Sequence, residues 1–447
     1  MTASPTNRRV VITGLGVVSP LGNSRQALWD ALLAGNSGVE RLQALPPLDG
    51  RVTYGGEARD FKGEIDDFGE LEKDLKKSIR KALKMMCRES MMAVAAAQQA
   101  LVDAGFGSDS TGPMDTDTSG VVFGSDYMLS PPDELLAAMR ACGVGEGRFD
   151  YPKWGGTGLK EMNPLWMLSY LPNMPASHIA IFNDLRGPNN SLTMREAAGL
   201  LAIREAAQTI ERGHADRMIA GATGTRIHSF KTVHALQQDQ MANPELPPAE
   251  ASRPFDAHRT GMVVGEGAGA ILLEELESAK SRGATIYAEI ISTGASAVAA
   301  EGLKPQRQTA LTNAARMALA SSRRDPNSIG HINAHGLATT AGDAEESAAL
   351  AAVLNSHAAD IPVVAPKSNF GNLGAGGAVV ETIASVLALH TGQLFPTLNY
   401  ATPDAKCPLN VVTAANPCPP GDSFLKLTVT PQGQAAALIV ARYEEGQ

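Results

Sequence analysis

The sequence predicts an α/β fold from three observations. Short apolar runs alternate with longer stretches of helical periodicity. Glycine is abundant, with 44 residues, and aromatics are only 5 %, which suits many strand-to-helix turns and offers little stacking surface for nucleic acid. At 447 residues, with 44 % hydrophobic and 19 % charged, the chain can bury one large core or two packed halves.

The net charge of −9 gives no support to nucleic-acid binding. Cys87, Cys142, Cys407 and Cys418 form no C-x-x-C pair. They suggest neither a zinc site nor a redox motif and read as free thiols in a reducing cytoplasm. The opening MTASPTNRRVVITGLGVV imitates a signal peptide, but its apolar part is short and glycine-broken, as in a buried strand entering a turn. No apolar segment is expected to span a membrane, and no cofactor or metal is implied.

Residues 9–18 read as the first buried strand. The turn GLGVVS has Ser19 where a dinucleotide fingerprint needs its third glycine. Residues 71–105 read as helical. Lys73, Lys77, Arg80 and Lys84 recur three or four apart on one face, flanked by Lys76 and Lys81. Such a stripe is ordinarily a solvated face, and alternatively a docking patch for an acidic partner. Residues 119–123 form a second strand. After it, about 126–185, a Pro-rich segment reads as an insertion covering a cleft or a subunit contact.

Residues 187–213, GPNNSLTMREAAGLLAIREAAQTIERG, organise the chain. A Gly-Pro turn leads to a short extended segment and then an Ala-rich helix from about 195 to 212, stopped by Gly213. A strand turning sharply into a helix places a side chain where backbone N–H groups favour negative charge. A strand at 216–224 follows. After 280 the cycle restarts, with a strand at 286–291, a helix at 308–321 and a strand at 331–334.

The 187–213 stretch resembles the active-site segment of the β-ketoacyl-acyl-carrier-protein synthases, roughly GP-x-x-S-x-x-x-A-C-x-x-G. Gly187, Pro188, Ser191 and Gly199 match, while the nucleophilic cysteine falls on Glu196. Three other stretches carry the resemblance: VVITGLGVVSPLG near the N-terminus, SRPFDAHRTGMVVGEGAG at 252–269, and NAHGLATTAGD at 333–343. The resemblance covers nearly the whole chain and implies the thiolase-type duplicated fold, five layers αβαβα, with halves at 1–275 and 276–447. Within the 252–269 stretch, Arg253, Asp256 and Arg259 are expected to fix loop geometry.

By resemblance, His335 is the decarboxylating histidine, with Asp343 and Glu346 at the family spacing. Lys367 of KSNFGN is expected to pair with Glu346. Asn372 replaces the second histidine, and a His–Asn pair could still hold a thioester carbonyl as it becomes an enolate. The C-terminal oxyanion loop maps onto LTVTPQGQ, its donor position on Pro431, which has no N–H; the loop's usual aromatic gate is also absent. A carboxylate accepts acyl groups from thioesters poorly, since the mixed anhydride lies uphill. Glu196 then either caps the helix and fills the vacated site, or acts as a base or orients a bound thioester.

The resemblance thus implies partnership with acyl carrier protein and its acyl or malonyl thioesters, with the basic stripe as a docking candidate. The leading expectation is a family member unable to condense alone. It would pair with itself or with an active synthase, as chain-length factors do. A malonyl-thioester decarboxylase acting through His335 and Asn372 is the alternative, and an active condensing synthase the remaining one.

Overall fold

A computed structural model describes residues 8–45, 50–107 and 114–445. Residues 1–7, the start of the stretch weighed above as a leader, lie outside them. The main strands are β1 Val10–Val18, β2 Ser119–Ser125, β3 Asn189–Thr193, β4 Arg217–Thr225, β5 Glu266–Glu275, β6 Ala288–Ala297, β7 His331–Asn333, β8 Pro362–Val364, β9 Asn410–Val411, β10 Ser423–Val429 and β11 Gln434–Ala441. The helices that matter for the site are α1 Lys73–Ala82, α2 Arg88–Asp103, α3 Ala198–Glu211, α4 Ser229–Gln238, α5 Arg307–Ser322, α6 Thr340–Leu354 and α7 Gly377–Thr391.

The strands run in the order β9-β8-β7-β10-β11-β6-β1-β5-β4-β2-β3. In the first half β3, β2 and β4 are parallel, with β5 and β1 antiparallel beyond them. In the second half β8, β7 and β10 are parallel, with β11 and β6 antiparallel beyond them. Numbered within its own half, with the two-residue edge strand β9 of the second half left out, each set reads 3-2-4-5-1, so one topology occurs twice. The halves meet edge to edge through a short antiparallel pairing of Val10–Ile12 with Ala288–Ile290, making one continuous eleven-stranded sheet.

The layers follow from which faces are apolar. Helix α2 covers the outside of the first half-sheet through residues such as Ala93, Ala96, Ala97 and Ala100, and α5 and α6 cover the outside of the second. Between the half-sheets lie α3 and α7, sharing one core with both. Gly199 allows this approach, because a Cβ there would lie 2.7 Å from Val379 Cγ2. Gly374–Thr391 is, against expectation, apolar and long enough to cross a membrane by length and composition, yet 89 % of it is buried. It is the core helix of the middle layer, apolar all round because it faces protein on every side.

The observed elements follow the expected ones with one revision. The helical stretch 71–105 is broken: α1 ends at Ala82, a 3₁₀ turn spans Leu83–Met85, and α2 starts at Arg88. The insertion is built of short helices, Pro132–Ala141, Lys153–Gly156, Trp166–Ser169 and Met174–Phe182 among them.

Candidate active site

Three parallel strands of each half, β2, β3 and β4 in the first and β7, β8 and β10 in the second, deliver their C-terminal ends to one place, which is where open α/β sheets form ligand crevices. Asp126 follows β2, the Arg195–Glu196 turn follows β3, and Arg226 follows β4. His335 follows β7, Lys367 follows β8, and Pro431 follows β10. Glu196 lies in a 3₁₀ turn, Arg195–Ala197, that leads into α3. Arg195 has φ +48°, a region costly for a residue with a Cβ, so the chain turns sharply here.

Glu196 is 3 % exposed, and its side chain does not cap the helix. Oε1 accepts a hydrogen bond from Arg226 Nη2 and another from Asn372 Nδ2 at 3.2 Å. Oε2 lies 3.5 Å from Arg195 Nε. Arg226, itself 1 % exposed, also pairs with Asp126 Oδ2 at 2.6 Å, and Arg195 Nη2 lies 3.7 Å from Asp239 Oδ2. The result is a buried chain of alternating charge, Asp126–Arg226–Glu196–Arg195–Asp239. Burial alone would raise the Glu196 pKa, but Arg226 and Arg195 outweigh it and hold the carboxyl well below its ordinary range. Glu196 is therefore an ionised, hydrogen-bonded carboxylate.

The second cluster centres on His335. Burial, reinforced by Lys367 and Lys426, pushes its imidazole well below the ordinary value, so the ring is neutral. Lys367 Nζ donates to His335 O at 2.7 Å and lies 3.5 Å from Nδ1. Thr428 Oγ1 also lies 3.5 Å from Nδ1; the tautomer in which Nδ1 accepts from the Lys367 ammonium carries its ring proton on Nε2. The expected Lys367–Glu346 ion pair is not formed. Lys367 pairs with Glu381 at 2.7 Å, and Lys426 binds the other oxygen of Glu381. Glu346 instead accepts the backbone N–H groups of His335 (2.6 Å) and Gly336 (2.9 Å). It shapes the turn that carries the histidine. Glu381, on α7, was not singled out in the sequence because nothing local marks a carboxylate inside an apolar helix as the partner of two distant lysines.

A cavity of about 130 Å³ is lined by Gln238, Asp239, Gln240, Arg307, His335, Thr339, Thr430 and Pro431 among others. Glu196, Lys367 and Asn372 are not among its lining residues. Both N–H directions of Asn372 are engaged, one on Glu196 and one on Met262 Sδ, so the expected His–Asn pair is not presented to the cavity as two free donors. Pro431 lies in the turn after β10. The N–H of the preceding Thr430 is already donated to Gln434 O at 2.8 Å, so shifting the register by one residue in that direction frees no donor.

Outside the crevice, Lys73, Lys77, Arg80, Lys81 and Lys84 are exposed. Lys76 is half-buried and pairs with Asp66 at 2.7 Å, which removes it from the open stripe. Asp256 accepts the N–H groups of His258, Ala401 and Thr402, while Arg259 binds the carbonyls of Thr339 and Thr340 and the Asp404 carboxylate. Both act as loop clamps. Arg253 bonds the nearby Glu250.

Arg226 and Asp126 were missed in the sequence, although each stands directly after a glycine-containing buried strand, where a charged residue signals a site. Asp343 carries a consequence for stability. Burial raises its carboxyl to about 7, against the Phe255 N–H it accepts. A folded pKa above the unfolded value contributes stability at low pH that is lost as pH rises through about 7. Asp343→Asn keeps an acceptor for Phe255 without that loss. It should be more stable than the parent by ~1–3 kcal/mol at pH 8 and by less at pH 5, measured by urea unfolding.

Comparison with known proteins places the chain as follows. Residues 7–279 match the β-ketoacyl synthase N-terminal domain and residues 287–401 the β-ketoacyl synthase C-terminal domain. A 3-oxoacyl-[acyl-carrier-protein] synthase 2 of Coxiella burnetii is 37 % identical over 412 residues, 91 % of each chain. Among solved structures, the ishigamide ketosynthase/chain length factor matches with TM-score 0.80 at 28 % identity, covering 98 % of this chain and 100 % of the other. A type II polyketide acyl-carrier protein in complex with its ketosynthase bound to the hexaketide matches with TM-score 0.80 at 27 % identity and the same coverage.

Proposed function

The chain belongs to the β-ketoacyl synthase family of fatty-acid and polyketide synthesis, and from that premise we propose that it is a non-condensing member that works beside an active synthase. The carrying observation is the Glu196–Arg226 ion pair. The residue at the nucleophile position is a carboxylate already paired to a guanidinium and an amide, and it does not border the cavity. Acyl transfer to it would break that pairing and form an anhydride from a thioester, uphill on both counts. Pro431 supplies no second oxyanion donor.

A subunit role is supported by the surface. β3 is an edge strand whose Asn189 and Asn190 are exposed, and an unpaired edge invites pairing with another chain. Nearby in sequence, the insertion exposes the apolar side chains of Tyr151, Leu165, Met167 and Ile181, which a partner surface could cover. The likeness to a ketosynthase/chain length factor agrees with pairing to a partner synthase or a second copy. The exposed part of the basic stripe, Lys73, Lys77, Arg80, Lys81 and Lys84, is assigned to an acidic carrier protein. The four cysteines are free, in keeping with a cytoplasmic setting.

A second reading, malonyl-thioester decarboxylation supplying acetyl primers, is favoured by one observation: His335 borders the cavity, held neutral by burial and the nearby lysines, and its Nε2–H tautomer offers a donor there. An N–H donor there can stabilise the enolate that decarboxylation produces. In this reading Asn372 positions Glu196 and does not contact the substrate, leaving His335 as the enolate donor. The test is to incubate the purified protein with malonyl- and acyl-carrier proteins and follow both by intact mass. No 3-oxoacyl product should form. Any acetyl-carrier protein should vanish in His335→Ala, and 3-oxoacyl product from the purified chain alone would overturn the non-condensing assignment.

A further inference from the structure

We propose that Asp239 is the proton donor of the decarboxylation site, delivering a proton to the carbanion left when a malonyl thioester loses carbon dioxide. This rests on the decarboxylation reading above and identifies the acid that reading lacks.

In a condensing enzyme the carbanion attacks the acyl group held by the nucleophile. With Glu196 unacylated there is no electrophile to receive it, so the product must be quenched by a proton. Among the residues lining the cavity, Gln238, Gln240, Thr339 and Thr430 are not acids at neutral pH, and Arg307 is engaged by Glu345. Burial and the nearby lysines hold His335 neutral, and in this proposal its ring N–H serves as donor to the thioester oxygen and is not the proton source. Asp239 is the one carboxyl lining this cavity among the described residues.

Its placement is built rather than incidental. Asp239 terminates α4, its N–H donating to Ala235 O at 2.9 Å. Its side chain is only 7 % exposed. Arg195 is tethered to the preceding Gln238 by a 2.6 Å hydrogen bond and stands 3.7 Å from the Asp239 carboxyl. Charged groups reach Asp239 from each neighbouring segment: Glu196 and Arg195 from the turn before α3, Arg226 from the end of β4, and Arg307 from α5. Burial and the Glu196 charge outweigh the three arginines and raise the carboxyl to about 6. It therefore stays partly protonated near neutrality, as a general acid must.

The step balances. The bond from the methylene carbon to the carboxylate carbon breaks, carbon dioxide leaves, and the electron pair is held as an enolate whose oxygen faces the His335 N–H. The Asp239 O–H bond then breaks as a C–H bond forms, giving the acetyl thioester. The Asp239 carboxylate, beside Arg195, recovers its proton from water.

The experiment follows acetyl-carrier protein formed from malonyl-carrier protein, by intact mass, between about pH 5 and pH 9. It uses the full chain, Asp239→Asn and Asp239→Glu, each checked for an unchanged melting profile. The parent rate should fall up to ~10-fold per pH unit above about pH 6. Asp239→Asn should lose at least ~10-fold at the acidic end and show a flat profile, and Asp239→Glu should restore the slope. Turnover by the parent with an Asp239→Asn rate and slope that match it overturns the assignment of Asp239 and leaves decarboxylation standing. A folded parent that releases no carbon dioxide at any pH overturns both.

Discussion

Glu196→Cys alone should yield an ionised thiol but a poor acyl acceptor. The new side chain would sit beside Arg226 and Arg195, and neighbouring guanidinium groups favour the thiolate. The position is buried and does not border the cavity, so the thiolate is expected to show as ultraviolet thiolate absorbance at neutral pH rather than as rapid alkylation. Acylation from an acyl-carrier protein is a separate demand, because the tetrahedral oxyanion needs two donors and Pro431 supplies none. Adding Pro431→Gly should raise the acylation rate of the Glu196→Cys protein by ~10²–10³-fold, the usual worth of one oxyanion donor. Radiolabelled acyl-enzyme formation in single-turnover experiments measures this. A single variant that acylates as fast as the double one would show that the missing donor lies elsewhere in the loop.

Arg226→Met should be the most destabilising single change in the crevice. The guanidinium is 1 % exposed and is shared by Glu196 and Asp126, both buried. Its removal leaves two carboxylates in low dielectric, and breaking a buried pair from one side typically costs ~3–5 kcal/mol. Urea unfolding should show that loss at pH 8. Adding Glu196→Gln and Asp126→Asn should recover most of it, since neutral amides need no counter-charge.

The pH dependence should also change sign in that variant. In the parent, Glu196 has a depressed folded pKa, so its contribution is present above the unfolded value of about 4.5 and is lost as pH falls through the folded value. Without Arg226, burial dominates and raises the carboxyl, so the variant should lose stability as pH rises instead. A melting profile that keeps the parent's pH dependence would mean that Arg195 alone compensates Glu196.

Local patterns were enough for the elements and for the residues inside contiguous motifs. The buried strand at 10–18, the long helix after Glu196 and the His335 turn all follow from runs of apolar residues, glycine punctuation and short-range spacing. Pairings between distant segments were not readable in that way. Lys367 was assigned to Glu346, 21 positions earlier, because both belong to recognisable motifs, whereas its partner is Glu381 on α7, shared with Lys426 on β10. Asn372 looked like a free amide donor until the fold brought Glu196 and Met262 against it. Glu196 itself could be a cap, a base or a filler in the sequence. Its partner Arg226 lies 30 residues away, just past the end of another strand.

The sequence by itself determined the α/β alternation and the family, and its motifs pointed to Glu196 at the nucleophile position and Pro431 at the donor position, because these are matters of residue identity and short-range order. Only the tertiary structure decided the charge state of Glu196, the neutrality of His335 and the acidity of Asp239. Those depend on burial and on charges a few ångströms away, contributed by strand ends that are far apart in the chain and meet only when the two half-sheets close around α3 and α7.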